Sequence, residues 1–148
     1  MEAIKFVSII TCTKRPGFLD ALYSNFNRQD YELKEFILVL HGLDGLDTGL
    51  IAEDPRCTIL YLPKEMPLGT CLNEAVKHTS FKVIAKFDDD YYSPQYLAEA
   101  LKVMEKRQAE VVGKQSYLVY FKKDELLSIY KPGKGRSCGN TGRSDSCI

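Results

Sequence analysis

Four short apolar, β-branched runs recur along this chain, and helical stretches separate most of them. The runs are IKFVSIIT (4–11), EFILVLHG (35–42), CTILYLP (57–63) and KVIAKF (82–87). Each has strand length; the first is too continuous for a strand with one wet face and suits one covered on both sides, the second and fourth read as buried, and proline stops the third. After the first run, Pro16 opens a segment in which Phe18, Leu19, Leu22 and Phe26 repeat at helical spacing to about Arg28. Pro67 opens another, with Leu68, Cys71, Leu72, Ala75 and Val76 on one face. Ser93-Pro94 supplies a cap and first turn for a third, which aligns Leu97, Leu101 and Met104. LDGLDTGL (43–50) reads as a loop, and EVVGKQSYLVYFKK (110–123) supplies one or two further strands. The order strand, helix, strand, strand, helix, strand, helix, strand predicts an α/β domain. Its sheet is mainly parallel, with helices on both faces.

The chain has 148 residues, enough for one domain with a real core. The domain is expected over 1–130. Residues 131–148, KPGKGRSCGNTGRSDSCI, are polar and expected to form a flexible tail. The formal net charge is zero, which argues against a nucleic-acid partner, since phosphate-backbone affinity needs clustered positive charge. No apolar run reaches the length of a membrane span, and no signal-peptide pattern opens the chain. The five cysteines, Cys12, Cys57, Cys71, Cys138 and Cys147, show no CxxC spacing and read as free thiols in a reducing cytoplasm. Cys138 and Cys147 are the pair an oxidising setting could join. His41 and His78 are far apart in sequence and each reads first as an ordinary histidine.

In an open α/β sheet, ligands bind beyond the carboxyl ends of the strands. Thr11, Thr13, Lys14 and Arg15 follow the first strand, and His41 and Asp44 the second. Lys64 and Glu65 follow the third, and Asp88, Asp89 and Asp90 the fourth. Adjacent carboxylates about 5 Å apart repel by roughly 1 kcal/mol in water and roughly 3 kcal/mol at an effective dielectric near 20. Two readings of the acidic run stand side by side. It is a solvated helix start, favoured by the helix dipole, or Asp88 and Asp90 face one hard divalent cation that also takes substrate phosphates. Lys14-Arg15 is a solvated loop or a phosphate contact. Tyr91 and Tyr92 are half-buried aromatics or stacking platforms. Asn73 faces solvent or makes a polar contact.

Three segments resemble the nucleotide-binding half of a GT-A-type, family 2 glycosyltransferase. VSIITCTKRPGFLDAL is similar to that family's first strand, loop and helix. LPKEMPLGTCLNEAVKHTSFKVIAKFDDD is similar to its Gly–Asn helix, strand and DxD motif, and YYSPQYLAEAL to the proline and helix that follow. The resemblance implies a GT-A-like, Rossmann-like fold, a nucleotide-diphosphate sugar donor and a Mn2+ or Mg2+ ion. Asp88 and Asp90 would be the DxD metal carboxylates, with Asp88 and Asp89 nearer the ribose and donor sugar, and Asp89 and Asp90 in the reacting centre. Thr11, Thr13 and Arg15 would line one wall of the nucleotide pocket, and Lys64, Gly69 and Asn73 the other.

The chain departs from the family in two places. LHG (40–42) stands where an acidic residue often reads the base, which makes His41 the candidate base contact. The chain is also short at its C-terminus, where the family carries an acceptor site and an acidic general base; KKDELL, with Asp124 and Glu125, does not match that pattern. The acceptor, whether glycan, lipid-linked or protein, is left open. So is a homo-oligomer or partner subunit. The rival readings are a nucleotide-sugar-binding module without the acceptor half and a nucleotidyltransferase. The latter's Gly-rich phosphate loop is absent from TCTKRPG.

Overall fold

The structure is a computed structural model that describes residues 5–114 and 117–130. β1 (Val7–Thr13), β2 (Lys34–His41), β3 (Cys57–Leu62) and β4 (Val83–Lys86) form one parallel sheet in the order β3-β2-β1-β4. The central pair, β1 and β2, is buried almost throughout. Alternation along β2 sends Phe36, Leu38 and Leu40 to one face and Ile37, Val39 and His41 to the other. α1 (Leu19–Arg28) covers the first face, where Phe26 stacks on Phe36 at 5.2 Å between ring centroids. α3 (Leu68–Lys77) covers the second, and its Cys71 and Ala75 pack among Ile10, Ile37 and Val39. The expected α/β class, parallel sheet and two-sided helix cover are all present.

Four local expectations are corrected. β4 is an edge strand, with Val83 and Ala85 half-buried and Ile84 and Lys86 exposed, so the acidic run leaves a half-open strand rather than a buried one. The buried stripe of α3 is narrower than its apolar pattern: Leu68 is 53% exposed and Val76 40%. The buried residues of α3 are the i, i+4 pair Cys71 and Ala75. Pro16–Phe18 forms a 3-10 turn ahead of α1. The 43–50 loop runs into one helical turn, α2 (Leu50–Glu53), seated by the buried Ile51.

At the amino ends of the strands, Glu35 is a clamp. Its Oε1 accepts from the Ser8 hydroxyl and the Ser80 N–H, both at 2.6 Å, and its Oε2 from the Ser80 hydroxyl at 2.9 Å. This rim is closed by protein groups. The opposite rim, at the carboxyl ends, carries the polar loops.

The chain forms two compact units that divide between Leu97 and Ala98, where sequence patterning drew a single domain over 1–130. α4 (Tyr96–Arg107) begins at this division. The second unit holds an antiparallel hairpin of β5 (Tyr117–Phe121) and β6 (Leu126–Tyr130), so the late strands form a sheet of their own. Asp124 and Glu125 lie in the hairpin turn. The expected tail at 131–148, with Cys138 and Cys147, falls outside the described residues. No helix among the described residues is long and apolar enough to cross a membrane.

Candidate functional site

Because β1 to β4 are parallel, their carboxyl ends share one rim. At the end of β1, Thr11 and Thr13 are buried beneath it rather than open on it. Thr13 Oγ1 accepts the Arg15 N–H at 3.1 Å, which turns the chain out of the sheet. Thr11 Oγ1 is buried with no hydrogen-bond partner. Arg15 is exposed, its guanidinium 5.3 Å from the Phe18 ring centroid and its Nε 3.9 Å from Asp89 Oδ2. The loop after β1 therefore meets the acidic loop after β4.

The acidic loop is held by its backbone, and α1 does the holding. Asn25 Nδ2 donates to the Asp90 carbonyl at 2.6 Å, while Asn25 Oδ1 accepts the Tyr92 N–H at 3.2 Å. Gln29 Nε2 donates to the Ser93 carbonyl at 2.8 Å, and Gln29 Oε1 accepts the Leu97 N–H at 2.9 Å. Arg28 bridges Asn25 Oδ1 and the Tyr92 carbonyl, and its guanidinium lies 4.4 Å from the Tyr91 ring centroid. From within the loop, the Asp88 N–H donates to the Tyr92 hydroxyl at 2.9 Å, and the Tyr92 ring stacks on Phe87 at 4.0 Å. Burial pushes the Tyr92 hydroxyl up to about 12, so it stays protonated.

With the backbone fixed, two of the three carboxylates are left to solvent. Asp88 and Asp90 are exposed and Asp89 is turned partly inward, the alternation expected of an extended segment. Lys86 Nζ sits 2.6 Å from Asp88 Oδ1 and offsets part of the local charge. Asp89 Oδ1 is buried without a partner. The three carboxylates do not converge on one point. Among the described residues, the group of three donors that does converge is Cys12, His41 and Cys71.

The other side of the rim is built by β2, β3 and α3. Gly42 follows β2 with φ +70°, and a Cβ there would lie 2.9 Å from Lys64 Cβ, so the ends of β2 and β3 touch through a glycine. Lys64 is exposed beside it. Gly69 and Asn73, one helical turn apart on α3, are both exposed. His41 is a correction: it is 3% exposed, and its Nε2 donates to the Met66 carbonyl at 2.8 Å. The ring is turned into the layer between sheet and α3 because its place on β2 shares the face of Ile37 and Val39.

Sequence reasoning missed Asn25, Arg28, Gln29 and Lys86. Two signals were available. Asn25 and Gln29 stand one turn apart beside the apolar stripe of α1, and Lys86, the last residue of β4, stands two residues before Asp88. Their partners, some of them 64 to 68 residues away in sequence, left no trace there.

The same architecture occurs in known proteins. The solved structures that the fold matches include the mannosyltransferase PcManGT from Pyrobaculum calidifontis in complex with GDP-Man and Mn2+. That match has a TM-score of 0.63 and 19% identity over 74% of this chain and 35% of that one. S. aureus TarS matches with a TM-score of 0.57 and 19% identity over 74% of this chain and 21% of that one. TarS 1-349 in complex with UDP-GlcNAc gives 0.56 and 19%, over 74% and 34%. The chain thus spans about a third or less of the length of these structures. No curated protein sequence matches it. The family model for glycosyl transferase family 2 matches residues 7–137. With its α/β sheet in the GT-A-like, Rossmann-type arrangement and that match over most of its length, the chain belongs to glycosyl transferase family 2.

Proposed function

We propose that the chain binds a nucleotide-diphosphate sugar through a Mn2+ or Mg2+ ion at Asp88 and Asp90 and takes part in transferring the sugar to an acceptor. One observation supports this most. A helix early in the chain spends buried Asn25 on fixing the backbone of the acidic loop at Asp90 and Tyr92, while the Asp88 and Asp90 side chains stay exposed.

The donor chemistry fits the ion. Exposed carboxylates on a fixed backbone suit a hard divalent cation, and Asp89 Oδ1 keeps an unused lone pair. Such an ion supplies charge neutralisation for the diphosphate as it leaves. The chain's own groups do the rest. Arg15, exposed at the rim and near Asp89, offers a guanidinium to the phosphates. Thr13 sets the direction of the Arg15 backbone, and Thr11 lies beneath it as support. Lys64, Gly69 and Asn73 form the opposite wall, where Gly69 leaves room for close approach and Asn73 offers both a donor and an acceptor. Asp89 and Asp90 flank the reacting sugar. His41 falls outside this set. The general base and acceptor site are assigned to no residue of the chain.

Calorimetry of nucleotide-diphosphate sugars with and without Mn2+ tests the reading. Affinity should require the metal and be lost in Asp90→Ala; affinity indifferent to both rejects it. Hydrolysis or transfer by the bound protein supports an enzyme, and metal-dependent binding without turnover identifies a binding module instead.

A further inference from the structure

Away from the acids, a second set of donor atoms converges. Cys12 near the end of β1, His41 at the end of β2 and Cys71 in α3 each bring one ligand atom within 4.8 Å of the others, with His41 and Cys71 buried and Cys12 half-buried. The imidazole is the informative member. Its Nε2 faces the Met66 carbonyl at 2.8 Å, and a carbonyl only accepts, so Nε2 carries the hydrogen. Nδ1 then keeps its lone pair, and it is buried without a partner. Metal-ligating imidazoles have this arrangement, one nitrogen fixed by a carbonyl and the other free to bind. Plain packing among Ile10, Ile37 and Val39 accounts for the thiols but leaves that lone pair unexplained.

We propose that Cys12, Cys71 and His41 Nδ1 form a site for a thiophilic divalent cation of the Zn2+ class, distinct in place and chemistry from the carboxylate rim. Two thiolates and one neutral imidazole around a divalent ion sum to zero charge, which an apolar layer tolerates. Both thiol protons pass to solvent as the ion enters. Tetrahedral zinc with its usual sulfur and nitrogen bond lengths holds donors about 3.5–3.8 Å apart, so small side-chain rotations close the set. Half-buried Cys12 provides the way in, and a water completes the four ligands. The bound ion ties β1, β2 and α3 together directly beneath the rim.

Co2+ is the probe, because thiolate ligation gives it a charge-transfer absorption that oxygen ligands do not. The reduced full chain should take up one equivalent with that band, and Zn2+ should displace it and raise Tm by several degrees. Cys12→Ser and Cys71→Ser should each abolish the band, while Cys57→Ser and the double variant Cys138→Ser/Cys147→Ser should keep it. Should a core variant fail to fold, wild-type protein answers the same question: Zn2+ should slow alkylation of half-buried Cys12 and leave that of half-buried Cys57 unchanged. No band in the reduced protein, a band lost only in the Cys138/Cys147 variant, or equal alkylation of Cys12 with and without Zn2+ overturns the proposal.

Discussion

Single residues set the charge of the rim. Lys86 holds Asp88 Oδ1 at 2.6 Å and competes with any cation for that oxygen. Lys86→Gln should tighten Mn2+ binding about two- to fivefold, the scale of an exposed ion pair, in a calorimetric titration. A looser Mn2+ affinity in this variant contradicts the assignment of Asp88. Asp54 shows the same physics in a structural role. Its carboxylate accepts Arg56 Nε, Nη2 and the backbone N–H, and also the Tyr23 hydroxyl, and these bonds hold it well below the usual carboxylate range. A depressed value means that the folded state binds fewer protons than the unfolded chain between the two values. The resulting stability is full above about pH 4 and is lost as pH falls further toward the folded value. Asp54→Asn should therefore cost about 1–2 kcal/mol at pH 7, an amount reduced by the exposure of Arg56, and make the urea midpoint less sensitive to pH below 4. Gly42 is constrained by geometry. Gly42→Ala places a Cβ at φ +70° against Lys64 and should cost about 1–3 kcal/mol in urea unfolding.

At the scale of elements, α1 has two jobs on adjoining faces. Leu22 and Phe26 fasten it to the sheet, the neighbouring Asn25 reaches the acidic loop, and Gln29 at its end holds Ser93 and Leu97. Asn25→Ala leaves the Asp90 carbonyl and the Tyr92 N–H without their partner. It should cost about 1–3 kcal/mol in urea unfolding and weaken Mn2+ binding, although Asn25 is not itself a ligand. Unchanged metal affinity would mean that the loop keeps its shape unaided. This face also marks the limit of what the sequence shows. Periodicity reveals apolar stripes, so the helices at Leu19–Arg28 and Leu68–Lys77 were legible. A buried polar residue beside such a stripe looks the same as a solvated one until its distant partner is known. The acids were legible for the opposite reason: a run of like charge needs an explanation within the run itself. His41 was misplaced because its position in the sequence, at a strand end, does not say which face its side chain takes. The edge position of β4 was likewise hidden, since VIAK carries the same apolar signal as a central strand.

For the whole molecule, strand order decides where stability resides. β1 and β2 carry the buried centre, and β3 and β4 flank it. Leu38→Ala should cost about 2–5 kcal/mol, whereas Ile84→Ala, with its side chain 37% exposed on β4, should cost less than about 1.5 kcal/mol, both read from urea midpoints. Equal costs would contradict this distribution. The alternation of runs and helices made the α/β class legible, but the order of strands depends on pairings between distant segments. The bond from Asn25 to Asp90 joins positions 65 residues apart. During synthesis the ribosome therefore releases the acids long after the helix that shapes them. The divalent-ion site proposed at Asp88 and Asp90 would be missing from a nascent chain that has emerged only to the third strand, and would arise only when both segments meet. On that assignment, divalent-ion affinity is a late reporter of maturation, coming on together with tertiary closure.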